Sequence, residues 1–265
     1  MRDLVKRVLS ALIGAPLIIF ACWWGGYPFL ALVLVVGVLG VMEFYDIVAY
    51  KGVRASRGAG IVATIVLLVC VFFDNEQKVI VPTFLFLFLI VGQIIKKDRS
   101  SPLISVGATL LGFFYVAWLI SYVILLRNLE DGRFWTIVLF LVTWSTDTMA
   151  YLVGKSVGRK KLAPYISPNK TVEGFWGGVL GSVLFSSVMG WIYAIPPLWS
   201  LLFGLVMGVW GQLGDLGESL FKREVALKDV SGLIPGHGGI LDRFDSFLFN
   251  APLMYYFLFW TGVID

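Results

Sequence analysis

The stretch Pro28-Phe-Leu-Ala-Leu-Val-Leu-Val-Val-Gly-Val-Leu-Gly-Val-Met42-Glu43-Phe-Tyr-Asp46-Ile-Val48 holds 21 residues, of which only Glu43 and Asp46 are charged, both close to its end. About 20 consecutive apolar residues is the length of a helix that crosses a bilayer core of about 30 Å. Similar windows recur along the chain, near 8–24, 58–73, 79–95, 103–126, 134–153, 174–195, 198–217 and 247–263. Of the 265 residues 58% are hydrophobic and 14% charged, against roughly 25% charged in an ordinary soluble domain. The reading is an all-α polytopic integral membrane protein with about nine transmembrane helices, because in lipid a spanning segment must satisfy its own backbone hydrogen bonds.

Charge gives the expected orientation. Lys and Arg gather in cytoplasmic loops, and 18 of the 21 here fall in alternate links: Arg2, Lys6 and Arg7; Lys51, Arg54 and Arg57; Lys96, Lys97 and Arg99; Lys155, Arg159, Lys160, Lys161 and Lys170; Lys222, Arg223, Lys228 and Arg243. The intervening links hold Lys78, Arg127 and Arg133. The window at 58–73 is short enough to be re-entrant on length alone, but removing it scrambles the alternation. The N-terminus is therefore expected in the cytoplasm and the C-terminus outside. The first window is too long for a signal-peptide core and lacks a clear small-residue cleavage site before the second. Cys22 and Cys70 lie inside windows and supply neither a disulfide framework nor a zinc spacing. The net charge of +4 sits on the cytoplasmic side, suited to anionic lipid and phosphate-bearing substrates, and no nucleic-acid partner is expected. Residues 1–130 read as a lipid-facing scaffold of helices, and 131–265 as the region carrying the site.

The carboxylates point to chemistry. Glu43, Asp46, Asp147, Glu173, Asp215 and Glu218 sit within spans or at their ends, where ionisable groups are costly and usually face a bundle interior or a wet cavity. Glu43 and Asp46, near a helix end, can equally snorkel into water. Asp147 lies deeper, in Trp144-Ser-Thr-Asp147-Thr-Met-Ala-Tyr151, with Tyr151 four residues on and on the same helical face. In Gly211-Gln-Leu-Gly-Asp215-Leu-Gly-Glu218-Ser219 the last two polar positions follow Asp215 at three and four residues, again one face. Asp242 and Asp245 are likewise three apart, around Arg243. Carboxylates from separate segments at one depth suit a hard divalent cation such as Mg²⁺, held by a few carboxylates, water and substrate phosphate.

Glycines divide into two kinds. Gly174, Gly177, Gly178 and Gly181 have small-xxx-small spacing and are expected at close helix contacts. Pro235-Gly236-His237-Gly238-Gly239 reads either as a connector or as a loop whose N–H groups face phosphate. Lys170 lies at the mouth of the glycine-rich span, beside Glu173. His237 is the sole histidine, but a phosphate nucleophile is already ionised at neutral pH and needs no base.

The run Ser219-Leu-Phe-Lys222-Arg223-Glu-Val-Ala-Leu-Lys228-Asp229-Val-Ser231-Gly-Leu-Ile-Pro235-Gly236-His237-Gly238-Gly239-Ile-Leu-Asp242-Arg243-Phe-Asp245 resembles the signature of the phosphatidate cytidylyltransferase (CDP-diacylglycerol synthase) family. Ser145–Tyr151, Ser167–Gly178 and Gly211–Ser219 also resemble family segments, whereas the N-terminal half matches in hydropathy alone. The resemblance implies transfer of CMP from CTP to phosphatidic acid in the bilayer, giving CDP-diacylglycerol and pyrophosphate with Mg²⁺ and room for a second cation. It also implies a homodimer, while the short chain without extensions points to a bacterial inner membrane and the basic links put the site on its cytoplasmic side. On this reading Asp215, Asp242 and Asp245 are the first metal-ligand candidates, with Asp147 and Glu218 next. Lys222, Arg223, Lys228, Arg243 and Lys170 would contact phosphates. Ser219, Asp229, His237, Tyr151 and the loop of Gly236, Gly238 and Gly239 would shape the pocket. A cation transporter is the main rival, but its polar groups should extend through the membrane depth and its halves should repeat. A CTP-dependent lipid kinase would transfer a different phosphoryl group. The CDP-alcohol phosphatidyltransferase motif is absent.

Overall fold

The computed structural model describes residues 2–74, 76–95, 101–227 and 238–261. Each of the nine apolar windows falls on a helical rod: α1 (Arg2–Trp24), α2 (Gly26–Ala49), α3 (Arg57–Phe72), α4 (Ile80–Ile95), the rod made by α5 (Pro102–Gly112) and α6 (Leu119–Asn128), α7 (Gly132–Val157), α8 (Val172–Ile192), α9 (Pro197–Glu224) and α10 (Leu241–Thr261). Five of these, Gly26–Ala49, Pro102–Asn128, Gly132–Val157, Val172–Ile192 and Pro197–Glu224, are long and apolar enough to cross a membrane. Leu12–Trp24, Arg57–Phe72 and Ile80–Ile95 are apolar but shorter. The structure thus supports a membrane protein with several spanning helices, five of which among the described residues are long and apolar enough by length and composition. Helix α10 is long enough, but Asp242, Arg243, Asp245 and Asn250 dilute its apolar character.

The chain forms two compact units: Met1–Asn128 with Val225–Arg243, and Leu129–Glu224 with Phe244–Asp265. The signature run is therefore shared between them.

In the first unit, α2 packs through small residues. A Cβ at Gly37 would meet Leu68 of α3, and one at Gly40 would meet Val116, in the π-helical stretch Phe113–Trp118 that joins α5 to α6. Tyr45 is fully buried against Gly60 and Gly112, neither of which leaves room for a Cβ. Its hydroxyl donates to the Thr109 carbonyl at 2.9 Å, which spares the cost of burying an unpaired O–H. Polar residues of α5 also hold the link before α3: Ser56 N–H donates to Thr109 Oγ1 and Ser105 Oγ to the Arg54 carbonyl.

In the second unit, glycines set the helix spacing as their periodicity predicts. Gly177 of α8 leaves no room between its backbone and Val153 of α7, and Gly181 meets Met149 in the same way. Along α9, Gly204 and Gly208 lie against the backbone of α8 at Val183 and Val179, and Gly211 and Gly214 face Asn250 and Phe249 of α10. Without a hydrophobic driving force in lipid, such close approach supplies the dispersion contacts that hold helices together. The link from α7 to α8 holds a short antiparallel hairpin, β1 (Lys161–Ala163) with β2 (Ser167–Thr171), in which Lys161 pairs with Thr171 and Ala163 with Ser167. Its exit is fixed by a helix cap: Thr171 Oγ1 accepts the Gly174 N–H at 3.1 Å, meeting one of the orphan donors of α8.

Candidate active site

In the second unit the acidic residues of three helices act on one another. Asp245, one turn into α10, is 8% exposed, and the charges of Asp215 and Glu218 of α9 and Asp147 of α7 all bear on it. Glycines let the helices bring these groups close: the space a Cβ would need at Gly214 is taken by the Asp245 carbonyl and the Phe249 ring. One Asp245 oxygen, Oδ1, accepts the N–H of Ser246 at 2.6 Å. Carboxylates of the apolar helices α7 and α9 whose charges bear on the buried Asp245 repel it strongly unless cations share the space.

Two lysines supply part of that charge. Lys170, on β2, reaches α9 and pairs with Asp215, Nζ to Oδ2 being 2.5 Å. The contact is an ion pair rather than a well-aligned hydrogen bond, since the Nζ has no partner of good hydrogen-bond geometry. Lys222 sits one turn below Glu218 and pairs with it at 3.3 Å, the two being 7% and 1% exposed. That pair is the i,i+4 arrangement with the acid on the N-terminal side, placed where water cannot screen it.

Other basic residues are put to structural use. The Arg223 Nε–H donates to the Ile166 carbonyl at 3.0 Å, tying the end of α9 to the hairpin turn. The Glu173 carboxylate takes the backbone N–H groups of Arg159 and Lys160, which fixes the chain as it leaves α7. Tyr151 is 63% exposed, and its hydroxyl accepts from Lys155 at 3.3 Å. The shared face of Asp147 and Tyr151 is thus an exposed face of α7. Ser219 is half-buried next to Glu218.

In the first unit, the described part of the signature resumes at Gly238, whose φ of 81° lies in the left-handed region that glycine adopts freely. The Gly239 N–H donates to Asp242 Oδ2 at 3.0 Å, so Asp242 caps its own helix, α10, and Arg243 is exposed. Lys228, Asp229, Gly236 and His237, singled out in the sequence, lie outside the described residues.

Three side chains matter more than their sequence context suggested. Glu43 is 3% exposed and accepts backbone N–H groups from Ile240 and Leu241, whereas its position near a helix end is equally compatible with snorkelling. Asn250, buried in α10, donates to Thr143 Oγ1 at 3.1 Å. Gln212 donates to the carbonyls of Phe175 and Gly208. A polar residue inside an apolar window was the available signal for Asn250.

Among the described residues no group of three or more His, Cys, Asp or Glu side chains is placed so that it could hold a metal ion. The donor set still fits a hard cation: Asp245, Asp215, Asp147 and Glu218 offer oxygen only, and Mg²⁺ is commonly held by one or two carboxylates, with water and substrate phosphate completing its shell.

Residues 5–261 match the family model described as the cytidylyltransferase family. The phosphatidate cytidylyltransferase of Bacillus subtilis is 36% identical over 97% of this chain and 98% of its own length. That of Synechocystis is 35% identical over 96% of each. A protein of the same name from Staphylococcus epidermidis is 44% identical over 159 residues, 59% of this chain and 58% of its own.

Proposed function

Since the chain belongs to the cytidylyltransferase family, we propose that it is a phosphatidate cytidylyltransferase, transferring CMP from CTP to phosphatidic acid and releasing pyrophosphate. The observation that carries this reading is the carboxylate group of Asp147, Asp215, Glu218 and Asp245, with Lys170 and Lys222 among it, in a chain that matches relatives of that name almost end to end.

The chemistry explains the residues. A phosphatidate oxygen attacks the α-phosphorus of CTP; a new P–O bond forms, the bond to the β-phosphate oxygen breaks, and pyrophosphate leaves with the electron pair. Nucleophile and electrophile are both polyanions, so the barrier is lowered mainly by positioning and charge neutralisation. Mg²⁺, when bound, supplies that neutralisation and orients the phosphate oxygens. Within the second unit Asp215 and Asp245 would hold it, with Asp147 and Glu218 behind them. Lys170 can exchange its carboxylate partner for a phosphate oxygen without leaving the site. Arg223 keeps the hairpin, and hence Lys170, against α9.

The same reading includes nine crossings, the N-terminus in the cytoplasm, the C-terminus outside, and the site at the cytoplasmic face of a bacterial inner membrane. The alternation of basic links supports it, because CTP arrives from the cytoplasm and the lipid phosphate from the leaflet. The homodimer implied by the family resemblance would be read from the mass of the detergent-solubilised protein.

The test supplies α-labelled and γ-labelled CTP with phosphatidate and Mg²⁺ to the purified chain in lipid nanodiscs. Only the α label should enter lipid, with one pyrophosphate released for each CMP transferred. Entry of the γ label indicates a lipid kinase, and no labelling of lipid overturns the proposal.

A further inference from the structure

We propose that Glu43, in the second helix and outside the signature, is a positioning residue for the reaction: its carboxylate fixes the start of α10 and so the direction in which Asp242 and Arg243 leave the backbone. This rests on the function proposed above.

Three contacts, all within the first unit, carry it. Glu43 Oε1 accepts the Ile240 N–H at 3.0 Å, and Oε2 accepts the Leu241 N–H at 2.8 Å. These belong to the orphan donors at a helix start, where partial positive charge favours a carboxylate. The backbone at Gly239 lies so close to Glu43 that a Cβ there would fall 2.6 Å from Oε2. Leu241 is 2% exposed, and its Cδ1 lies 3.9 Å from where a Cβ at Gly40 would be, one turn before Glu43 on the same helix. Helix α2 therefore grips residues 239–241 with a bidentate charge-assisted clamp and an apolar contact beside it. From within, Asp242 closes the same turn through the Gly239 N–H. A turn held from both sides has one geometry, and the two residues that follow inherit it. Glu43 has no need to touch substrate for this.

The test compares wild type with Glu43→Gln, Glu43→Asp and Gly239→Ala, each purified as the full chain. In Glu43→Gln one clamp oxygen becomes an N–H donor facing another donor. Turnover should fall about tenfold or more, the half-saturating Mg²⁺ concentration should rise, and the KM for CTP should change little. Hydrogen exchange at the amides of Ile240 and Leu241 should speed up while that along α2 stays unchanged. Glu43→Asp should recover part of the turnover. Gly239→Ala should reproduce the defect, and Glu43→Gln combined with Gly239→Ala should add little more, since both break one clamp. Wild-type exchange at 240 and 241 in Glu43→Gln overturns the proposal, as does lost turnover with an unchanged Mg²⁺ requirement. Absence of CMP transfer by the wild-type chain overturns the proposed function instead, and the exchange measurement still judges the clamp.

Discussion

Lys170 and Asp215 form an ion pair, ammonium to carboxylate 2.5 Å, that joins strand β2 to helix α9 with neither side chain fully buried. Partial exposure limits its worth to about 0.5–1 kcal/mol, so the pair is weak enough to open. If Asp215 is the metal ligand proposed above, the lysine it rests on competes with any cation that approaches. Lys170→Met should therefore lower the half-saturating Mg²⁺ concentration by about two- to fivefold, the equivalent of that energy. It should also reduce kcat/KM by about a hundredfold, the scale on which an electrostatic donor to a transition state acts. Steady-state rates across a Mg²⁺ titration measure both. A higher Mg²⁺ requirement would show that Lys170 helps assemble the site rather than guarding Asp215.

Asp245 is the carboxylate on which the other three act, and it is almost wholly enclosed. Asp245→Asn keeps its shape and the Ser246 contact but removes the charge. Lipid labelling from α-labelled CTP should fall at least about a hundredfold, with the protein still extractable, monodisperse and melting within a few degrees of wild type. Near-normal turnover would exclude Asp245 as a ligand.

The glycines of α8 give a prediction about architecture alone. At Gly177 a side chain would run into Val153 of α7. Gly177→Leu should destabilise the second unit by about 1–3 kcal/mol or more through overpacking, seen as a lower melting temperature in nanodiscs. Combining it with Val153→Ala should recover part of the loss, as contacting sites couple.

How far the sequence could be read depended on the range of the interaction. Helices follow from the periodic needs of backbone in lipid, so every apolar window falls on a helix. The small-residue stripe at Gly174, Gly177, Gly178 and Gly181 was visible because helical spacing puts it on one face. The i,i+4 position of Glu218 and Lys222 is local in the same way. The Lys170 partnership was not legible, since it depends on a hairpin turning the chain back between β1 and β2. In the sequence Glu43 stays open between a buried role and snorkelling for a related reason. From its own helix it looks like a residue near a water boundary, and its partners, Ile240 and Leu241, lie nearly 200 residues away and contribute backbone, which has no sequence signature. Arg223 was assigned to phosphate by its place in the signature, yet its Nε–H holds the hairpin.

The buried pair of Glu218 and Lys222 separates structural from substrate roles. With side chains 1% and 9% exposed and 3.3 Å apart, the two charges sit where desolvation is costly and mutual attraction offsets it. Lys222→Met leaves the Glu218 carboxylate without this cation, and breaking a buried pair from one side typically costs about 3–5 kcal/mol. The melting temperature should drop clearly. Glu218→Gln with Lys222→Met removes the charge that made the loss expensive, and should restore most of the stability. Activity then decides the role of the lysine. If the double variant recovers turnover along with stability, Lys222 serves α9 alone. If stability returns but the KM for CTP stays at least about tenfold above that of Glu218→Gln alone, Lys222 also meets the triphosphate, as its place in the signature implies. A single variant cannot make that distinction, because a weakened helix end would move Asp215 and lower the rate by itself.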